Sequence, residues 1–335
     1  MVILKLNPFF EKNIGSFHWH ILSRNPNAIT LLEQHFDKID WTGLSGNPNA
    51  IHILGQYPQN IDWWELSQNP NAIHLLEKNS DKINWLALNE NPNGIHILEQ
   101  HLRKINWWKL SLNPNAMRLL EQHPHNINWW KLSRNPNAIH FLEKNVDKIN
   151  WIELSKNVNA IHLLEKNLDK ICWSELSANP NAIHILEQNF NKIIWPRLSS
   201  NPNAIHLLEK NLDKICWKSI SSNPNAINIL EKNNDKIDWF RLSANPAAIH
   251  ILEQNLDKID AYNLSANPNA IHLLVQNPDK ILWWRLSFNP SIFEYDYNAM
   301  KKRMYDSGLF EQLMQNRFHP KNIDKFEDWG FETVY

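Results

Sequence analysis

The sequence predicts an all-α fold: an α-solenoid, a superhelical rod of about thirteen two-helix 22-residue repeats with helical caps. Three observations carry this. An Asn-Pro dipeptide returns every 22 residues. The apolar residues between the dipeptides follow helical spacing. No stretch alternates as a strand would, and a Pro at each unit start suits a sheet badly.

The Asn of the dipeptide stands at Asn25, Asn47, Asn69 and every 22 residues onward to Asn289, without an insertion. Val158 alone takes the place of the proline. Within the unit at Asn201, Asn is a good N-cap, and Pro202 at the first helical position loses no bonded amide. Ala204, Ile205, Leu207, Leu208 and Leu212 fall on one side at about 100° per residue, with Asn203, His206, Glu209 and Lys210 opposite. The expectation is a helix from Pro202 to about Asn211.

A second, shorter helix follows, clearest at Asp62-Trp63-Trp64-Glu65. Asp62 can cap the first amides, and Glu65 can reach back to complete a capping box. It must end near Gln68, because Asn69 opens the next unit. A single 3₁₀-like turn is the alternative.

The expected organisation has three parts. Residues 1–18 are a capping partial repeat, since Phe9 to Asn13 aligns with Leu31 to His35 one period later. Residues 19–290 are the solenoid, and residues 291–335 form a helical cap and tail. Phe293, Tyr297, Leu309, Phe310 and Leu313 are expected to cover the last repeat's core. In the final stretch, Phe326, Trp329 and Phe331 either dock on the solenoid or serve as a linear motif.

Composition restricts the partners. The net charge is −1, which demands neither nucleic acid nor an acidic substrate. Cys172 and Cys216 occupy the same repeat position two units apart, so free thiols and an intracellular setting are expected. No secretory leader and no membrane span is legible.

Two columns invite chemistry and have plainer readings. The Trp column, from Trp19 to Trp283, could stack bases, yet its place on the apolar face favours packing. The His column, including His52, His96, His162 and His206, lies on the polar face at one residue per unit. That spacing cannot close on one ion, so solvated or inter-repeat histidines are expected, and no metal. No phosphate loop, nucleophile elbow or dinucleotide fingerprint interrupts the array. No catalytic residue and no cofactor is expected, and the chain does not read as an enzyme.

Positions that vary between units are free to carry specificity. They are the two residues after the column Trp and the residue before each Asn, which lie together on one face of the short helix. Aromatic and basic residues mix there as in protein interfaces. The candidate partner-binding residues are Trp64, Trp108, Lys109, Trp130, Lys131, Arg134, Arg197, Lys218, Phe240, Arg241, Tyr262, Trp284 and Arg285. Neutral variation on a solvent face is the competing reading.

The motif L-S-x-N-P-N-A-I-H-L-L-E-K-N with I-x-W resembles uncharacterised short-repeat proteins of giant DNA viruses that infect protists, over about residues 4–290. The tail Phe318-His319-Pro320-Lys321-Asn322 with Trp329-Gly330-Phe331 is similar to tails of such proteins. More distantly, the unit resembles leucine-rich variant repeats. The resemblance implies a viral origin, in the host cytoplasm or the virion, and carries over no reaction. The expected function is a non-catalytic scaffold or adaptor binding a host or viral protein along the solenoid. The alternative is a structural virion component. Nucleic acid is the weaker partner, because the Glu column repels phosphate.

Overall fold

The computed structural model describes residues 3–316 and Asn322. The array is an α-solenoid of 22-residue units, and most units have three short helical segments where two were expected. The unit at Asn201 has a helix Ile205–Glu209, a 3₁₀ turn Leu212–Lys214 and a short helix Trp217–Ile220.

The longer helix begins later than the Asn-Pro signal implies. The Asn201 side-chain oxygen accepts from the Asn203 amide at 3.0 Å, and the Ala204 amide donates to the Asn201 carbonyl at 3.2 Å. Those bonds make a tight turn ahead of the helix, with Ala204 as its N-cap residue. The helix also stops early. Asn211 leaves helical geometry at φ −139°, and its side chain donates to the Leu207 carbonyl at 2.8 Å. Leu212 therefore starts the 3₁₀ turn and is exposed, against its expected place on the apolar face.

The short helix matches its cap signal. Asp62 accepts from the amides of Trp64 and Glu65, both at 3.0 Å. Glu65 does not close a capping box; its carboxylate is held by Arg24 instead.

Each unit contributes the same apolar set to one continuous core. In the Asn201 unit these are Ala204, Leu207, Leu208, Ile215 and Ile220, all buried. Polar columns run through this core. The Asn201 side-chain amide donates to the carbonyls of Ser177 at 3.1 Å and Asn179 at 3.0 Å, in the preceding unit. Ser199 donates to the Trp195 carbonyl at 2.8 Å and accepts from the Cys216 amide at 3.0 Å. Buried side-chain groups thus satisfy backbone groups that helices of one or two turns leave open.

The rod is not open-ended. Asn25 donates to the carbonyls of Ser287 and Asn289, both at 3.2 Å, just as each later ladder Asn donates to the carbonyl of the Asn 22 residues before it. The His18 amide donates to the Ser287 hydroxyl at 3.1 Å, and Asn27 to the Pro290 carbonyl at 3.0 Å. The first unit therefore packs on the last as on any neighbour, and the solenoid is a closed ring of thirteen units. Each unit turns by about 28° relative to the last.

One unit is assembled from both chain ends. Asn289 to Ile292 supply its turn, and residues from Asn7 onward supply its helix Pro8–Glu11 and 3₁₀ turn Ile14–Ser16. The Asn7 amide donates to the Ile292 carbonyl at 2.9 Å across the seam. Continuing the seam, strand β1 (Leu4–Leu6) pairs antiparallel with β2 (Phe293–Tyr295), Lys5 opposite Glu294. Phe10 and Phe17 meet the Trp283 ring edge-on at centroid distances of 6.2 and 5.2 Å.

This closure changes the role of both ends. The last repeat's core is covered by the first unit, with Phe293 buried in the seam. The helices Tyr297–Asp306 and Leu309–Asn316 do not act as its cap: Tyr297 and Leu309 are exposed, and Phe310 rests on Tyr305 at 4.7 Å. The motif expected in the final stretch, with Phe326, Trp329 and Phe331, lies outside the described residues.

Candidate interaction surface on the inner wall

The short Trp helices stand closer to their neighbours than the longer helices do, so they form the inner wall of the ring. Thirteen helices at the usual 8–10 Å spacing, each about 10–12 Å across, leave an opening of about 20–30 Å. The variable positions of the sequence line that wall.

The residue after the column Trp is the most exposed of the three. Trp64, Trp108, Trp130, Phe240, Tyr262 and Trp284 are each 38–58% exposed there. Large apolar residues at this exposure on one surface are unusual outside binding sites. The second variable position is tucked against the preceding unit. Lys109 is paired with Glu90, and Arg197 with Glu175 at 2.5 Å. Burial of Arg241 and Arg285 leaves the Nε of each without a hydrogen-bond partner.

Two clusters form from the predicted residues. In one, the Lys131 ammonium sits over the Trp108 ring at 4.1 Å and the Trp130 ring at 4.8 Å. In the other, the Arg285 guanidinium lies over Tyr262 at 4.7 Å, and Tyr262 packs on Trp284 at 5.6 Å. They lie six or seven units apart along a thirteen-unit ring, nearly opposite one another. Trp64, Arg134, Arg197, Lys218 and Phe240 stand apart from both.

Beside the first cluster is a groove of about 330 Å³, lined by Pro92, Trp108, Leu112, Pro114 and Lys131 among others. Leu112, Leu86, Ile152 and Phe288 stand in the variable columns but were not among the candidate partner-binding residues, and all are exposed on the same wall. Their signal was present: each is apolar in a column where other units carry polar or small residues.

Arg24 spans two units to reach Glu65, through the space left by two glycines. A Cβ on Gly43 would lie 3.2 Å from Arg24 Cγ, and one on Gly46 would lie 3.0 Å from a Glu65 carboxylate oxygen. The hydrogen bond to Glu65 raises the Arg24 pKa above its usual value.

The other columns have structural partners. The column Trp is half-buried against the core, and a Lys from the next unit lies over many of these rings, as Lys148 does over Trp129 at 4.8 Å. His52 bonds Glu33 of the preceding unit at 2.9 Å, and His206 bonds Glu187 at 2.8 Å. His162 does the same to Glu143 at 2.5 Å, and this hydrogen bond lowers the Glu143 pKa. Among the described residues no group of three His, Cys, Asp or Glu could hold a metal ion, and no helix is long and apolar enough to cross a membrane.

Cys172 and Cys216 are free thiols. Partial burial pushes the Cys216 thiol up, but hydrogen bonds from Ser219 and the Lys218 amide, with Arg241 nearby, bring its pKa below the usual value.

No protein-family model matches the chain, and neither a curated protein nor a solved structure is similar enough to be matched.

Proposed function

We propose that the protein is a non-catalytic interaction ring that holds a protein partner against its inner wall. The observation that carries this reading is the placement of exposed Trp64, Trp108, Trp130, Phe240, Tyr262 and Trp284 on one concave surface, interleaved with Lys and Arg. Rigid aromatics and arginines are the side chains that dominate protein interfaces. A ring of uniform units also suits a scaffold, since its backbone is fixed by buried ladders while the wall residues differ from unit to unit.

The partner is proposed to be a host or viral protein, in keeping with the resemblance of the repeat. Affinity purification from the native source with three proteins tests the reading. Wild type and an outer-face variant, Lys144→Glu, should retain the same partner, and Trp108→Ala/Trp130→Ala should lose it. Loss in the outer variant alone, or retention in all three, overturns it.

A further inference from the structure

The charges on the wall are unevenly matched. Its carboxylates Glu65, Glu90, Glu153 and Glu175 are each paired with a wall cation, respectively Arg24, Lys109, Lys156 and Arg197. Five further cations, Lys131, Arg134, Lys218, Arg241 and Arg285, form no ion pair among the described residues. Because the whole chain carries a net charge of −1, the rest of the molecule is negative. Positive charge is therefore concentrated in the opening.

We propose that the ring opening receives an acidic polypeptide segment with large apolar anchor residues, drawn in by the wall cations that no carboxylate neutralises. This rests on reading the inner wall as the binding surface, and it assigns the chemistry of the partner.

The unmatched cations occur beside apolar sites. Lys131 lines the groove of about 330 Å³ at Trp108 and Leu112, and Arg134 follows three residues later in the chain. Arg285 sits with Tyr262 and Trp284. An acidic residue of the partner would meet a cation while its apolar neighbour fills the adjacent site. Concave walls of low dielectric strengthen such attraction and focus it into the opening.

The distribution fits a polypeptide better than a nucleic acid. A polynucleotide presents a charge at every residue and needs a continuous cationic track. Here the free cations fall in separate stretches, with the Glu153 and Glu175 units between them. Aliphatic Leu86, Leu112 and Ile152 share the wall with the aromatics, and aliphatic side chains do not provide stacking platforms.

Fluorescence anisotropy on the full chain tests this with four labelled probes. One is a peptide of about 20 residues mixing Glu and Asp with Leu and Phe. Two companions replace its acids by Lys or by Gln. The fourth is an oligothymidylate of about 20 nucleotides. The acidic peptide should bind at least about ten-fold more tightly than either companion, and its affinity should fall as salt rises. Lys131→Glu/Arg134→Glu should weaken it by about ten-fold or more, and the outer variant Lys144→Glu/Lys210→Glu should not. Equal binding of the Gln peptide, abolished by Trp108→Ala/Trp130→Ala, overturns the acidic assignment and leaves the inner-wall reading standing. Binding indifferent to every inner-wall variant, or no peptide binding at all, overturns both. Oligothymidylate binding more tightly than the acidic peptide, and lost in Lys131→Glu/Arg134→Glu, replaces the polypeptide with a nucleic acid.

Discussion

The side-chain amide of Asn25 donates to the carbonyl of Asn289, 264 residues later in the chain, at 3.2 Å. The same bond joins Asn47 to Asn25 at 2.9 Å and Asn289 to Asn267 at 3.1 Å. Thirteen asparagines thereby form a cycle of side chain to backbone bonds with no first or last member. Closure removes the two apolar end faces that an open solenoid must cover.

The ladder predicts a large penalty for losing one rung. Asn135 is fully buried and donates to the carbonyls of Ser111 at 3.3 Å and Asn113 at 3.0 Å. Asn135→Ala takes the Asn135 donor from the Ser111 carbonyl, leaves the Asn113 carbonyl with the Ala116 amide alone, and removes the oxygen that accepts from the Asn137 amide, which should together cost about 2–4 kcal/mol. Asn135→Asp should cost more, because a carboxylate would face both carbonyls with no hydrogen to offer. Urea unfolding measures both; an Asp variant as stable as wild type would contradict the ladder's role.

The seam predicts that the chain can be re-cut. The Asn7 amide already donates to the Ile292 carbonyl at 2.9 Å, so the two ends of the split unit lie side by side. A permuted chain joining Ile292 to Asn7 through a short Gly-Ser linker, with new termini in the exposed 3₁₀ turn Val146–Lys148, should form the same ring. Its helical circular dichroism and melting should match the parent lacking the same flanking residues. Conversely, removing residues 1–17 uncovers Trp283 and Ile292, and should lower the melting temperature and promote self-association. A permutant that fails to fold, beside a truncation that melts normally, would show that the seam does not hold the ring.

Adjacent tryptophans should separate stability from binding. Trp129 is half-buried and stacks on Phe141 at 5.6 Å with an interplanar angle of 8°. Its replacement by Ala should cost about 3 kcal/mol or more. Trp130, 45% exposed on the wall, should cost less than about 1 kcal/mol when truncated. Equal losses in denaturant titrations would place Trp130 in the core and remove it from the binding surface.

Much of this was legible in the sequence, and what was not has a common physical cause. The period, the short helix at Trp63, its Asp62 cap and the apolar set follow from local rules that each unit repeats. The helix start was misread because Asn201 has two ends: its oxygen does serve the local turn, but its amide belongs to the previous unit. Ring closure was hidden for a related reason. Curvature is a small angle per unit set by packing between units, and no residue encodes it alone. The N-terminal aromatics Phe10 and Phe17 announced an unusual end, yet could not reveal that its partner was Trp283. At the wall, the sequence gathered the variable columns on one face. It could not separate cations neutralised by a neighbouring unit, such as Lys109, from those left unmatched, such as Lys131.

The inter-unit histidine bonds predict a specific titration. Glu143 accepts from His162, and that bond holds its pKa below the ordinary value of 4.5. A depressed carboxylate pKa contributes stability that is present above the unfolded pKa and lost as pH falls through the folded one. The effect lies entirely on the acid side of 4.5, and neutral pH leaves it intact. Carboxyl-carbon NMR should find Glu143 titrating lower in wild type than in His162→Ala. Identical curves in the two proteins would assign the shift to another source.

Gly94 offers a substitution that should stabilise the ring. It stands where most units carry Ala, and its φ of −80° is ordinary for any residue. Glycine therefore brings only the entropy of a freer unfolded chain, and Gly94→Ala removes it for a gain of about 0.4–1 kcal/mol. The opposing term is steric. A Cβ there would lie 2.7 Å from Leu88 Cδ1 and 3.1 Å from Leu88 Cγ, with the Leu88 carbonyl at 3.3 Å. The closest atom is the end of a rotatable side chain. The equivalent leucines Leu66 and Leu110 are fully buried beside Ala72 and Ala116, so the same packing is reached with a methyl present. Leu88 should shift to that arrangement and the methyl should fill the space it vacates. Thermal melting of Gly94→Ala measures the sign: a rise supports this balance, and a fall would mean that Leu88 is fixed in place by its neighbours and the clash prevails.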